Sequence, residues 1–475
     1  MELYKVRLNG KEIPVREVRV SAVPFNKVWD GKQRDKAQTE CGYYVSFDTA
    51  VPALLEITTS KPFDKYGIRP SRYAADSEQN GNTVKIHIDK HGQLTFEPFG
   101  LHFALQIFAN PISEKPMGDV ICFPKGEHIA GLIELRSNQT LYLEEGAVVH
   151  GMIYAQNAHD IKIMGRGVIN TGMYSRGNDF ENSGRELYDA LSKLDRDDRE
   201  SGAANPDNAS YQCANMVLYK CKNVYAEGVI FEDSPFWSVI IRNGCENIIL
   251  DNIKITGQWR YNSDGIDICA SKNVSVKNCF VRSFDDCIIA RGRHLSGETE
   301  DVENISVSNC VLWCDWGISL EIWNGRLPCE IRNVSFTDCY LIHISSIALD
   351  ITTWYGSSES IVSNVTFRNI YIDGESEYSA PVIESETNPE YSARKGFLPL
   401  ILKLSAQKIG KPTGNQGFEA ASDYSEFMIL YKNISLDNVR CTDPRLKANI
   451  IRFDEVLEID NLSVKNCDFL PESNA

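Results

Sequence analysis

Three aspartates, Asp264, Asp285 and Asp286, are the side chains of this 475-residue chain best spaced to do chemistry. Asp264 lies in Tyr261-Asn262-Ser263-Asp264-Gly265-Ile266-Asp267-Ile268. The other two lie in Ser283-Phe284-Asp285-Asp286-Cys287-Ile288-Ile289, with 21 positions from Asp264 to Asp285. If the intervening stretch is one coil of a β-solenoid, residues a coil apart stack on adjacent rungs and the three carboxylates share a face. Carboxylates gathered in a cleft repel, so at least one holds its proton near neutrality while another stays ionised. That is the set that acid/base hydrolysis of a glycosidic bond requires, with a carboxyl separation of about 6.5 to 9.5 Å expected for inversion. Which carboxyl keeps the proton belongs to the coupled cluster. An Asp pair alone is an ordinary turn feature, so the weight rests on the coil.

The coil is written in the chain's periodicity. Asn, an aliphatic residue, any residue, an apolar residue, any residue, then Asn or Asp recurs at Asn247, Asn273, Asn304, Asn333, Asn364, Asn433 and Asn461. A weaker copy begins at Asn223, with Gly228 in place of the second Asn. The leading Asn residues step by 24, 26, 31, 29, 31, 69 and 28 positions, within the solenoid range at every step but one. Inside each copy apolar residues alternate with polar ones, which makes a short half-buried strand. Such a strand buries its apolar face only against its neighbours in a stack. The Asn positions suit turns, where the side chain bonds nearby backbone and the backbone tolerates left-handed φ. A propeller would need four antiparallel strands per longer repeat, and no tight hairpin signal lies inside the repeat. The fold class is therefore all-β: a parallel β-helix, right-handed, over about 118–470.

Residues 1–112 carry no Asn repeat. They alternate in strand-like runs such as Thr83-Val84-Lys85-Ile86-His87-Ile88, with Asn9-Gly10 as a hairpin signal. A small antiparallel β-sandwich fits, followed by a linker near Asn110–Pro116, and it is a candidate cap for one end of the helix. Insertions interrupt the coils near 171–211, with a helix carrying Leu187, Leu191 and Leu194, and near 375–427. Loops on a rigid scaffold commonly carry specificity.

A net charge of −16 disfavours nucleic acid and anionic membrane surfaces as partners. No run is long enough to span a membrane. Several of the fourteen cysteines (Cys279, Cys310, Cys339 and Cys467) follow the second Asn or Asp of the repeat, where they point inward as small apolar residues rather than pair. No close Cys or His pattern marks a metal site, so neither metal nor other cofactor is expected. Buried thiols and an N-terminus without an apolar h-region together point to the cytoplasm.

The Asn262-Ser263-Asp264 and Asp285-Asp286 motifs, with Asp233-Ser234-Pro235-Phe236-Trp237 a coil earlier, resemble those of family 28 glycoside hydrolases, the polygalacturonase-like enzymes. The resemblance covers about 118–470. The chain is similar in addition to the dextranase-like family 49, which carries an N-terminal β-sandwich. The resemblance implies inverting hydrolysis, with Asp285 as general acid and Asp264 and Asp286 activating water. Two departures stand out. Trp316 occupies the place of the family's Gly-His-Gly histidine, leaving Asp315 or Glu321 to contribute instead. The family's Arg-Ile-Lys motif should fall near Ala348–Thr352, where no cation stands and Asp350 would repel a uronate. The expected substrate is thus a neutral or differently decorated plant-wall or related oligosaccharide with α-linkages, cut from one end. Arg291 and Arg293 are candidate ligands for an acidic group.

Among the aromatic residues of these coils, Trp316, Trp323 and Trp354 are nearest the aspartates in rung order and are the candidate sugar platforms. Asp267, flanked by Ile266 and Ile268, reads as structural. Two other readings use the same scaffold. In a lyase, the three aspartates would hold Ca²⁺ and Arg291 or Arg293 would abstract a proton. In a glycan-binding solenoid, the chemistry would be lost.

Overall fold

In the computed structural model the described residues are 2–22, 39–73, 76–118, 120–174, 213–293, 299–325, 329–355, 360–373, 400–408, 429–442 and 457–468, with a few isolated positions between them. The helix expected around Leu187, Leu191 and Leu194 and most of the second insertion lie outside them.

The first strands form two five-stranded sheets. In one, Tyr4–Leu8 turns into Lys11–Ile13 through Asn9 and Gly10, both at positive φ, in the two-residue hairpin that their types favour. The other sheet departs from a purely antiparallel arrangement, because Leu105–Asn110 runs parallel to Thr39–Asp48. Between the sheets Val6, Leu55, Ile57, Val84, Ile86, Phe96, Leu105 and Ile107 are fully buried.

From Val120–Phe123 to Leu457–Lys465 the chain winds into one parallel sheet of 27 described strands, a right-handed β-helix. Each central coil has three strands. Val239–Arg242, Glu246–Asp251 and Lys254–Thr256 are followed one rung later by Ile266–Cys269, Lys272–Lys277 and Phe280–Ser283. Register is in phase with the repeat: Ile248 pairs with Val274, Val274 with Ile305, Ile305 with Val334 and Val334 with Val365. Stacked inward columns of this kind build the core, with Phe336 on Phe367 at 5.1 Å. Cys279, Cys310 and Cys339 lie fully buried in it, and Cys467 packs half-exposed near the last described coil.

The leading Asn residues adopt φ near +55°, the region that Asn tolerates best after Gly. Their side chains bond to one another rather than to nearby backbone. Each amide from Asn247 to Asn461 donates to the Asn one rung below, at 2.9–3.2 Å, in an unbroken ladder. At the weak copy Gly228 has φ +81°, and a Cβ there would meet Arg166 Nη1 at 1.8 Å, so the substitution of Gly for Asn has a steric cause.

The sandwich does not cap an end; it lies along the flank. The third strand of successive coils presents apolar residues outward as well as inward, and Val168, Ile230, Phe280, Val311, Trp313 and Ile342 pack on Val18, Val20, Tyr44, Ala104 and Phe108 of the sandwich. Leaving that stripe in water would forfeit about 25 cal/mol per Å² of apolar surface. Buried polar pins fix the docking. Glu232 accepts from Arg16 Nε (2.7 Å), Arg16 Nη2 (2.9 Å) and Tyr44 Oη (2.7 Å). Glu97 of the sandwich meets His343 (2.9 Å) and Arg69 (3.2 Å), and Asp373 accepts from the Ser71 backbone at 2.6 Å.

Candidate active site

Asp264, Asp285–Asp286 and Trp316–Gly317 occupy the same turn, between the third strand of one coil and the first strand of the next, on three consecutive rungs. Backbone bonds stack these turns: Gly265 N donates to Asp286 O (2.8 Å), and Cys287 N to Ile318 O (2.8 Å). The carboxylates thereby meet. One oxygen of each of Asp264, Asp285 and Asp286 lies within 4.8 Å of the others. The cause of this approach is the repeat itself. Asp285 and Asp286 are chain neighbours, and the turn of Asp264 sits one strand spacing away, about 4.8 Å.

Gly317 makes the approach possible. A Cβ there would stand 2.5 Å from both Asp285 Oδ1 and Asp286 Oδ1, so only glycine lets the next rung close over the pair. The Ile318 backbone N–H donates to Asp286 Oδ1 at 2.7 Å, and Asn262 Nδ2 reaches Asp285 Oδ2 at 3.4 Å.

Asp264 is 2% exposed. Burial, then repulsion from Asp267, Asp285 and Asp286, pushes its carboxyl well above the usual range, with Arg291 opposing. Behind it lies a buried ion cluster. Arg291 pairs with Asp267 at 3.1 Å and approaches Asp264 at 3.6 Å, its guanidinium held between the rings of Trp237 (4.5 Å) and Trp323 (4.8 Å). Burial raises Asp267 to about 7 although Arg291 pulls the other way. Burial works against the Arg291 cation too, but Asp267 and Glu321 outweigh it and hold its pKa above the usual value.

One outward column of the coils carries Asp267, Ile289, Glu321, Asp350 and Lys403 in register. Glu321 is raised by burial, then by Asp286 and Asp350; Asp350 is raised by burial, with Lys403 opposing. Lys403 corrects the expectation of a wall without a cation: its Nζ lies 3.6 Å from Asp350 Oδ1 and donates to Thr352 Oγ1 at 3.1 Å. The sequence hides it because it lies inside the 69-residue step, within the stretch 375–427 expected as an insertion, where the structure has the coil strand Leu400–Lys408. Its signal was a single charge in the apolar run Leu400-Ile401-Leu402-Lys403-Leu404.

The remaining expected residues separate. Trp316 is buried and stacked on Phe284, with centroids 6.0 Å apart. Trp323 serves Arg291. The backbone of Trp354 is in strand Ile347–Tyr355, while its side chain is outside the described residues. Arg293 is tied to its own loop through Asp301 (3.1 Å) and Glu300 O (3.2 Å). Asp315 faces Arg282 and the Trp313 indole N–H (2.8 Å), so it braces the turn and takes no place among the three carboxylates. Asp267, expected to be structural, is the counter-ion of Arg291, a partnership not visible in the sequence. The three carboxylates are a set that a hard cation accepts. Arg291, the base that a lyase would need, is engaged by Asp267 and Asp264.

Residues 119–395 match the family model of glycosyl hydrolases family 28. Among curated proteins, the chain is 28% identical over 208 residues to an exopolygalacturonase of Arabidopsis thaliana, covering 43% of each chain. It is 25% identical over 227 residues to a probable exopolygalacturonase B of Emericella nidulans, covering 45% of each. The chain thus spans less than half the length of these relatives. Among solved structures, Dex49A from Penicillium minioluteum superposes with a TM-score of 0.58 over 98% of this chain and 88% of that one, at 14% identity, a likeness of fold.

Proposed function

Since the chain belongs to glycosyl hydrolases family 28 and is a polygalacturonase-like glycosidase, we propose that it hydrolyses α-glycosidic bonds of a plant-wall or related oligosaccharide with inversion, using Asp264, Asp285 and Asp286. The observation that carries this reading is the convergence of three carboxylates on one turn column, one of them buried and raised. Burial and its acidic neighbours disfavour charge on Asp264, so the cluster holds a proton. Inversion needs that proton on Asp285, facing the leaving oxygen, with Asp264 and Asp286 ionised around the attacking water. The Asp286 carboxylate is oriented for this by the Ile318 N–H, and Arg291 favours ionised Asp264.

The cations of the cleft wall, Arg291 and Lys403, are already paired, the first with Asp267 and Asp264 and the second with Asp350. That pairing supports a neutral unit at the cleaved position over a uronate. The two exopolygalacturonase relatives support cleavage from chain ends.

A second reading has one observation in its favour. One oxygen of each aspartate lies within 4.8 Å of the others, and a close carboxyl pair suits a retaining enzyme, in which one aspartate attacks the sugar directly. Hydrolysis of aryl α-glycosides and plant-wall oligosaccharides in EDTA, with the first-formed anomer followed by proton NMR, separates the two. An inverted anomer supports the proposal, and a retained anomer replaces water by an aspartate nucleophile. Turnover only with added calcium, giving an ultraviolet-absorbing product, would reassign the carboxylates to a metal-dependent lyase.

A further inference from the structure

Where the sandwich lies against the coils, a crevice encloses about 500 Å³, a volume typical of small-molecule sites. Tyr73, Gln93 and Ile112 line it from the sandwich and linker, and Tyr225, Asp251 and Asn309 from the coils. None of its lining residues belongs to the acidic turn column.

Its polar groups are unevenly satisfied. Gln93 is 3% exposed; its Nε2 donates to Asn252 Oδ1 (2.8 Å) and Asn278 O (3.1 Å), while Oε1 has no partner. Glu227 is 8% exposed; its Oε1 accepts from Arg166 Nη1 at 2.9 Å, while Oε2 has no partner. Both orphans are acceptors, and an unmet buried acceptor costs about 1–3 kcal/mol. The lining carries Glu114, Glu227 and Asp251 against Arg166, whose guanidinium is already taken by Asp48, Glu227 and the carbonyls of Gly165 and Pro111. An anion is therefore disfavoured. The fitting ligand brings several hydrogen-bond donors, no negative charge, and apolar faces for Tyr225 and the 70% exposed Ile112.

We propose that this crevice is a second, non-catalytic saccharide site that takes a neutral sugar unit. It stands apart from the acidic cleft, so a strand of substrate held there is anchored to the flank while another part is presented for cleavage. The saccharide site itself does not rest on the hydrolytic reading; its role in presenting substrate does.

The test uses the full chain carrying Asp285→Asn, so that sugars stay intact, titrated with neutral gluco-, xylo- and galacto-oligosaccharides by calorimetry and saturation-transfer NMR. Tyr225→Ala, which removes one wall, and Met164→Trp, which fills the crevice, are added separately, with melting temperature as the check on folding. The expected result is saturable binding that weakens at least ten-fold in both crevice variants while both remain folded. Binding unchanged in either folded variant overturns the proposal, as does absence of saturable binding to any of the sugars. Binding of a diamine such as putrescine without binding of sugars assigns the crevice to cations instead. Loss of activity in Asp285→Asn, or its absence, bears only on the acidic cleft.

Discussion

The Asn side and the acidic side of the β-helix are built from the same stacked turns and use them in opposite ways. Along the Asn ladder every rung repeats one residue type, every amide has its partner, and nothing is charged. On the acidic side the corresponding rungs change residue at each step, from Asp264 to Asp285–Asp286 to Trp316–Gly317. Buried oxygens of Asp264, Asp267, Glu321 and Asp350 lack hydrogen-bond partners. Satisfied neutral ladders stabilise, whereas crowded buried carboxylates cost stability and shift pKa values, the usual signature of a site kept for chemistry. The regularity of one side is what holds the strain of the other in place.

Substitutions should therefore separate activity from stability according to side. The largest effect is expected for Asp285→Asn, which should lower kcat by about 10³-fold with melting temperature unchanged or higher, because one repelling charge is gone. A variant keeping most of its rate would remove Asp285 from the reaction. Next, Gly317→Ala forces a methyl against both carboxylates and should lower kcat by about 10²-fold in a folded chain; steady-state kinetics beside a circular dichroism melt would show whether rate falls alone. On the other side, Asn304→Ala breaks two ladder bonds and places Ala at φ +57°. It should cost about 1–3 kcal/mol of stability in denaturant titration and leave kcat within about two-fold, since surface sites away from the cleft rarely affect chemistry.

The smallest effect sharpens the comparison through pH. Asp267 has a folded pKa of about 7, above its unfolded value. The native state therefore binds the extra proton between the two values, and stability from this group is full below the ordinary aspartate range and declines as pH rises through about 7. Asp267→Asn should flatten that decline relative to the parent chain. An identical slope in both would show that Asp267 is not the group that titrates.

Much of the fold was legible because left-handed turns and in-phase apolar alternation leave residue-level marks: Asn at 247, 273, 304, 333 and 364, and Ile or Val next to each. The acidic rungs were legible for the same reason, since a one-coil spacing puts Asp264 beside Asp285. What the sequence hid was direction and partnership. Phe280, Val311 and Trp313 read as strand residues without revealing that an outward stripe binds the sandwich, because alternation does not say what covers the second face. Trp323 reads as a sugar platform, whereas with Trp237 it clasps Arg291. Lys403 is hidden inside a stretch that reads as a long insertion, and nothing in the sequence marks Gly317 as the residue whose Cβ would meet two carboxylates.

The sandwich lying along the flank has a consequence for how this chain can change over generations. Solenoids commonly lengthen or shorten by duplicating or deleting a coil. Here Glu232, His343 and Asp373 must each meet a fixed partner on one rigid body, so the flank works as a ruler with marks at set heights. Adding a coil between those marks would move every later mark by one strand spacing, about 4.8 Å, and unfasten it. Growth is left to the turns and to the chain beyond the last mark, and the 69-residue step between Asn364 and Asn433 contains that mark, Asp373, near its start. The number of coils under the sandwich is frozen, while the loops around the cleft stay free to vary.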